Sequence, residues 1–223
     1  MFGVRHNLGA LEKECQKKAA EPIEKGLIMF YGHSFFTRWS EKHGHRPLEE
    51  DIRKKDGSVA AVNHGFGSSV AADLLYNYNR LVKPWEPKVL VLITFNNDHR
   101  SGYSASEILN NVAYVCDFAT YDFPDIEIYC LNAAPCPRRN GMRDHVYKIR
   151  NEYNTMLKAF CETRKNCTFV DQLQWPMFFE NPEDIGNEDK IRSDIYGEDE
   201  IHLNQAGYDL YAEEFKKLLD KYL

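Results

Sequence analysis

Short apolar runs of strand length alternate along the chain with longer stretches in which apolar residues return every three or four positions. The runs are Gly26–Tyr31, Ala60–Asn63, Val89–Phe95, Ile126–Leu131 and Thr168–Asp171. Between and after them the spacing predicts helices over about Ser69–Leu81, Asp144–Glu162 and Gln205–Lys221. A further helix opens on the capping box Ser104-Ala105-Ser106-Glu107 and is expected to run to about Phe118. Ahead of the first strand, residues 8–20 place Leu8, Leu11, Cys15 and Ala19 on one face and charges on the other until Pro22 interrupts. This predicts an amphipathic helix packed on the domain. Five strands separated by helices imply an α/β fold with a parallel sheet. The polar stretch from Glu180 to Glu200 has no clear period and is longer than an ordinary connection, which is common for functional loops.

Length and composition narrow the class without naming an activity. A chain of 223 residues is expected to form one domain over residues 1–223, large enough to bury a substantial core. The formal charge of -6 argues against a surface that tracks nucleic-acid phosphates, and Arg53-Lys54-Lys55 reads as a solvated loop or helix end. No apolar stretch approaches the roughly 20 residues of a membrane span. Charged residues from Glu12 to Lys18 occupy the place of a signal peptide's apolar segment, so a cytoplasmic location is expected. The six cysteines form no C-x-x-C motif and read as buried free thiols. His43 and His45 could bind a metal, but with no third ligand nearby a solvated loop is the simpler account.

Four segments carry candidate chemistry. The first strand ends in Phe30-Tyr31-Gly32-His33-Ser34, and a helix starting near Ser34 would set its hydroxyl at the carboxyl edge of the sheet, beside unpaired helix N–H groups. Taken alone, Ser34 fits an N-cap at least as well. Asp199-Glu200-Ile201-His202 puts a carboxylate within reach of an imidazole Nδ1, which would leave Nε2 free to take a proton from a serine; a surface loop pair is the plain alternative. Phe95-Asn96-Asn97-Asp98 offers a side-chain amide to a developing oxyanion, or a simple turn. In Asn63-His64-Gly65-Phe66-Gly67-Ser68-Ser69 the glycines let backbone N–H groups approach a ligand. Each segment is ambiguous alone, but all fall at the carboxyl ends of predicted strands or just before the last helix, where one crevice can hold them.

In this order the segments resemble the SGNH (GDSL-type) hydrolases, in the small single-domain esterase branch, over most of the chain. The resemblance implies a flavodoxin-like three-layer α/β/α sandwich with a five-stranded parallel sheet. It also implies a Ser34 nucleophile, a His202 base, Asp199 as its orienter, Asn97 as oxyanion donor and hydrolysis of esters with no metal or cofactor. The expected partner is a small-molecule ester, with short acyl or acetyl groups on a sugar or small alcohol; the oligomeric state stays open. The backbone N–H of Ser34 and of Ser68 or Gly67 would complete the oxyanion hole. The chain departs from the family pattern at His33, Ser68 and Phe95. His33 adds an imidazole near the nucleophile, Ser68 stands where a glycine is usual, and Phe95 would bring an aromatic ring close to the crevice. With His99 and Arg100, His33 and Phe95 are candidates for the substrate pocket. A non-catalytic carbohydrate or small-ligand binding protein on the same fold, or an acyltransferase, are the alternatives.

Overall fold

The computed structural model describes residues 8–138 and 143–223. Its centre is a five-stranded, all-parallel sheet of β1 (Ile28–Gly32), β2 (Ala61–Asn63), β3 (Val89–Ile93), β4 (Glu127–Leu131) and β5 (Cys167–Val170), ordered β2-β1-β3-β4-β5. Ile28 pairs with Ala61 on one side and with Val89 on the other. Every residue of β1 and β3 is buried, because helices cover both faces of the sheet. That is why these strands read as unbroken apolar runs.

The helices are α1 (Leu8–Ala19), α2 (Ser34–Thr37), α3 (Leu48–Asp51), α4 (Ala71–Leu81), α5 (Ala105–Asp122), α6 (Arg143–Glu162) and α7 (Gln205–Leu219). On one face Met29, Tyr31, Leu90 and Leu92 pack against Leu74, Tyr78, Ile108, Val112, Tyr153 and Leu157 of α4, α5 and α6. On the other, Phe30, Val91 and Ile93 meet Phe35 and Phe36 of α2 and Tyr208, Tyr211 and Phe215 of α7. The Phe30 ring lies edge-on to Phe36 at 5.2 Å and to Phe215 at 4.9 Å. The result is the expected α/β/α sandwich.

Boundaries moved where local chemistry intervened. β3 stops at Ile93, two residues early, because Thr94 turns its hydroxyl to Tyr153 (2.6 Å) and Phe95 takes a φ of 88° that no ladder accommodates. α5 runs four residues past Phe118, and Asp122 at its end accepts hydrogen bonds from Tyr78 and Lys83. α1 docks on α4, where Arg80 grips both carboxylate oxygens of Glu12. The polar stretch 180–200 forms short turns and the isolated bridge Phe179–Ile191, and its few apolar side chains, Ile185, Ile191, Ile195 and Tyr196, pack on the core.

The strand order places the site. After β2 the chain crosses over β1 to form β3, so the connections leaving β1 and β3 diverge to opposite sides and open a crevice at their carboxyl ends.

Candidate active site

Ser34 enters this crevice as the first residue of α2, and the N-cap is His33, whose Nδ1 accepts the Phe35 N–H at 3.4 Å. With the capping duty taken by its neighbour, the Ser34 hydroxyl is free for another partner. Gly32 is required here: a Cβ would stand 2.4 Å from the Ile93 side chain and 2.6 Å from its carbonyl, so only glycine lets the end of β1 lie this close to β3. The carbonyls of the α2 turn are held from two sides. Asn63 Nδ2 donates to Phe36 O (2.7 Å) and Trp39 O (3.3 Å), and Tyr208 Oη donates to Phe35 O (3.0 Å).

His202 Nε2 lies 2.8 Å from Ser34 Oγ, and His202 Nδ1 lies 2.7 Å from Asp199 Oδ2. The other carboxylate oxygen, Oδ1, accepts the backbone N–H groups of Ile201 (3.0 Å) and His202 (2.9 Å), and Glu200, which joins Asp199 to Ile201, takes left-handed backbone at φ 53°. A small antiparallel bridge, Tyr196–Leu203, and the bond from Gly197 N–H to His202 O (2.8 Å) close this loop. Asn204 anchors it, donating to Asp194 O and Tyr196 O while its Oδ1 caps α7 through Gly207 N–H. Burial acts to raise the Asp199 carboxyl, but the His202 backbone N–H, the His202 ring and the Ile201 N–H outweigh it and hold Asp199 well below the usual carboxylate range. Burial lowers His202; Asp199 opposes that shift and the Arg38 charge adds to it. The imidazole is therefore neutral near pH 7, with Nδ1–H directed at Asp199 and Nε2 presented to the serine.

Further N–H donors line the same cleft as Ser34. The backbone N–H groups of Ser34 and Ser68 have no protein acceptor among the described residues. Asn97 Nδ2 spends one hydrogen on Ser69 O (3.0 Å), which fixes the amide and leaves its second N–H available. Ser68 sits at φ 62°, the left-handed region, the conformation that explains a glycine preference at this place. Gly67 N–H instead points at Glu14 Oε2 (3.4 Å), a carboxylate delivered by α1. Beneath these donors lies buried Asp98, which accepts Ala71 N–H (2.7 Å) at the start of α4 and Phe95 N–H (3.0 Å), locking the two donor loops together. Its burial, against those hydrogen bonds, pushes its carboxyl up to about 6.

The other sequence-derived candidates separate. Phe95 does not line the crevice: it is 1% exposed, and its ring stacks on Tyr153 (5.4 Å) and His99 (5.0 Å) in the core. Positive φ is the physical reason, because it turns the side chain inward where ordinary extended backbone would direct it differently. His33 is fully buried, and burial, then the neighbouring His202, lower its imidazole to about 4 against the opposing Thr94 carbonyl, so it stays neutral. His99 and Arg100 do line a cleft of about 1180 Å³ that also contains Ser34, His202, Asn97, Ser68 and Gly67. His43 joins that lining, with its Nδ1 at 3.1 Å from Ser40 Oγ, while His45 packs on Tyr208. Among the described residues no group of three His, Cys, Asp or Glu can hold a metal ion, and no helix is long and apolar enough to cross a membrane. All six cysteines are free thiols; five are buried and Cys136 lines the cleft.

Four residues of the site were not anticipated from the sequence: Arg38, 3.3 Å from Asp199 Oδ2, together with Glu14, Asn63 and Asp98. A side-chain amide ending a strand two residues before a glycine is the cue that would have singled out Asn63.

A profile of the GDSL-like lipase/acylhydrolase family matches residues 30–210. No curated protein sequence matches the chain significantly. Among solved structures, a Bacteroides fragilis protein assigned as an acylhydrolase superposes with a TM-score of 0.70 at 20% identity, over 97% of this chain and 99% of its own. A GDSL-like lipase from Bacteroides thetaiotaomicron gives 0.71 at 17% identity, over 96% and 98%. A catalytic mutant of an acetylxylan esterase from Geobacillus stearothermophilus gives 0.61 at 16% identity, over 88% and 94%. At such identities these likenesses are of fold.

Proposed function

Since the chain belongs to the GDSL-like lipase/acylhydrolase family and is a carboxylic ester hydrolase, we propose that it cleaves short acyl or acetyl esters of a sugar or small alcohol through an acyl-Ser34 intermediate. The observation that carries this reading is the unbroken relay from Asp199 through His202 to Ser34, at 2.7 and 2.8 Å. Ser34 Oγ attacks the acyl carbon as His202 Nε2 takes its proton, and the carbonyl π pair moves onto oxygen. That oxyanion is met by the N–H groups of Ser34 and Ser68 and by the Asn97 amide, placed before the charge develops. Collapse of the intermediate breaks the bond to the alcohol, which leaves with the proton from His202. Water, deprotonated by the same nitrogen, attacks the acyl-serine, and the second collapse frees the acid and restores the hydroxyl.

Asn96 and Tyr103 in the cleft supply hydrogen-bonding groups suited to a hydroxylated alcohol. The acetylxylan esterase among the fold neighbours acts on an ester of that type. The test is covalent labelling with a fluorophosphonate, the modified residue being mapped by mass spectrometry. Labelling of Ser34, lost in Ser34→Ala, is the expected result, and label at any other serine, or none, overturns the assignment.

A further inference from the structure

The chain as a whole is acidic, with 34 Asp and Glu against 28 Lys and Arg. Its cleft has the opposite character. Arg38, Arg100, Arg138 and Arg150 line it, and among the described residues Glu14 is the one acidic lining residue. Two of those arginines have charged partners, Arg38 at Asp199 (3.3 Å) and Arg150 at Glu188. Arg100 and Arg138 have no ion-pair partner among the described residues.

Both stand on segments that carry the reacting groups. Arg100 lies in the turn His99–Ser101, joined to Asn97 by the bond from Ser101 N–H to Asn97 O (3.0 Å). Arg138 N–H donates to Glu200 O (3.2 Å), inside the loop that presents Asp199 and His202. The two guanidinium-bearing segments thus reach the reaction centre from the oxyanion side and from the base side. Both side chains are exposed, so a neutral ester would leave their charges facing solvent alone. A carboxylate, phosphate or sulfate matches the guanidinium fork with paired hydrogen bonds, and a cationic cleft in an acidic protein concentrates such anions at the nucleophile.

Resting on the esterase reading above, we propose that the ester this site takes carries an anionic group, held by Arg100 and Arg138 at the mouth of the cleft.

The test compares esters matched except for charge. 4-Acetoxybenzoate against its methyl ester places the anion on the alcohol side, and mono-4-nitrophenyl succinate against its methyl ester places it on the acyl side. The expected result is a preference of about tenfold or more in kcat/KM for the anionic member of one pair at low ionic strength, shrinking in about 0.5 M NaCl. The anionic-to-neutral ratio should fall toward one in the Arg100→Gln/Arg138→Gln double variant. Equal turnover within both pairs, or a preference that survives the double substitution, overturns the proposal. Calorimetric titration of the same compounds into Ser34→Ala separates this inference from the esterase reading. Tighter binding of an anionic member upholds the anion site even if no ester is turned over, and no measurable binding of either anionic member refutes it.

Discussion

Asp199 Oδ2 is shared: it faces His202 Nδ1 at 2.7 Å and Arg38 Nη1 at 3.3 Å. The guanidinium thus sits beside the orienting carboxylate and within electrostatic reach of the imidazole.

This arrangement sets the acid limb of the pH profile. Burial and the Arg38 charge lower His202, so the base form persists to a pH below the ordinary histidine value of about 6.5. The rise of kcat/KM with pH should have its midpoint below that value and reach a plateau by neutrality. Arg38→Gln removes a charge that disfavours the imidazolium, so the midpoint should move up. A midpoint that stays put or moves down would show that Arg38 does not act on His202.

Asn97 is held by one hydrogen bond, and in the proposed mechanism its other hydrogen meets the oxyanion. Asn97→Ala should cost roughly 10²–10³ in kcat, as loss of a side-chain oxyanion donor does elsewhere. KM should change little, because the interaction forms only as charge develops. A loss confined to KM would assign Asn97 to ground-state binding.

Glu14 lies at the same place with the wrong charge for a developing anion. Its carboxylate accepts the N–H of Gly67, next to Ser68, and is drawn away in part by Lys42 at 3.4 Å. Glu14→Gln keeps the size and removes the charge, and with solvent and Lys42 screening it should raise kcat by about two- to tenfold. Unchanged or lowered turnover on a neutral ester would mean that the carboxylate does not oppose the oxyanion.

Phe95 and Ser68 carry side chains where the backbone is left-handed, at φ 88° and 62°. The Phe95 ring is buried, so truncation to Ala should cost about 3–5 kcal/mol. Glycine loses the same ring but relieves a backbone cost of about 1–2 kcal/mol, so Phe95→Gly should be the more stable of the two, reversing the usual order. At Ser68, which packs against little, Ser68→Gly should be neutral or stabilising by up to about 1 kcal/mol. Chemical denaturation of the variants checks both.

What was legible in the chain follows from range. That Ser34, Asn97, Asp199 and His202 would gather at one edge could be read because each borders a periodic element of a parallel sheet, while the roles expected of them came from their order together and the family resemblance. Arg38 could not, because its partner lies 161 residues away and nothing local distinguishes it from a solvated arginine. Glu14 was hidden because the register of α1 against the sheet is set by tertiary contacts such as Arg80 with Glu12. Phe95 was misplaced because residue identity alone does not reveal the hand of the backbone, which Asp98 helps impose by holding the Phe95 N–H.

His202 lies 168 residues beyond Ser34, in a loop fastened at its far end to α7. As the chain emerges from the ribosome, all five strands are made before this loop appears, and Ser34 is until then an ordinary hydroxyl with no base. The segment that brings the base is followed at once by α7, whose Tyr208, Tyr211 and Phe215 close one face of the sheet, so completion of that core layer and arrival of the base are a single late event.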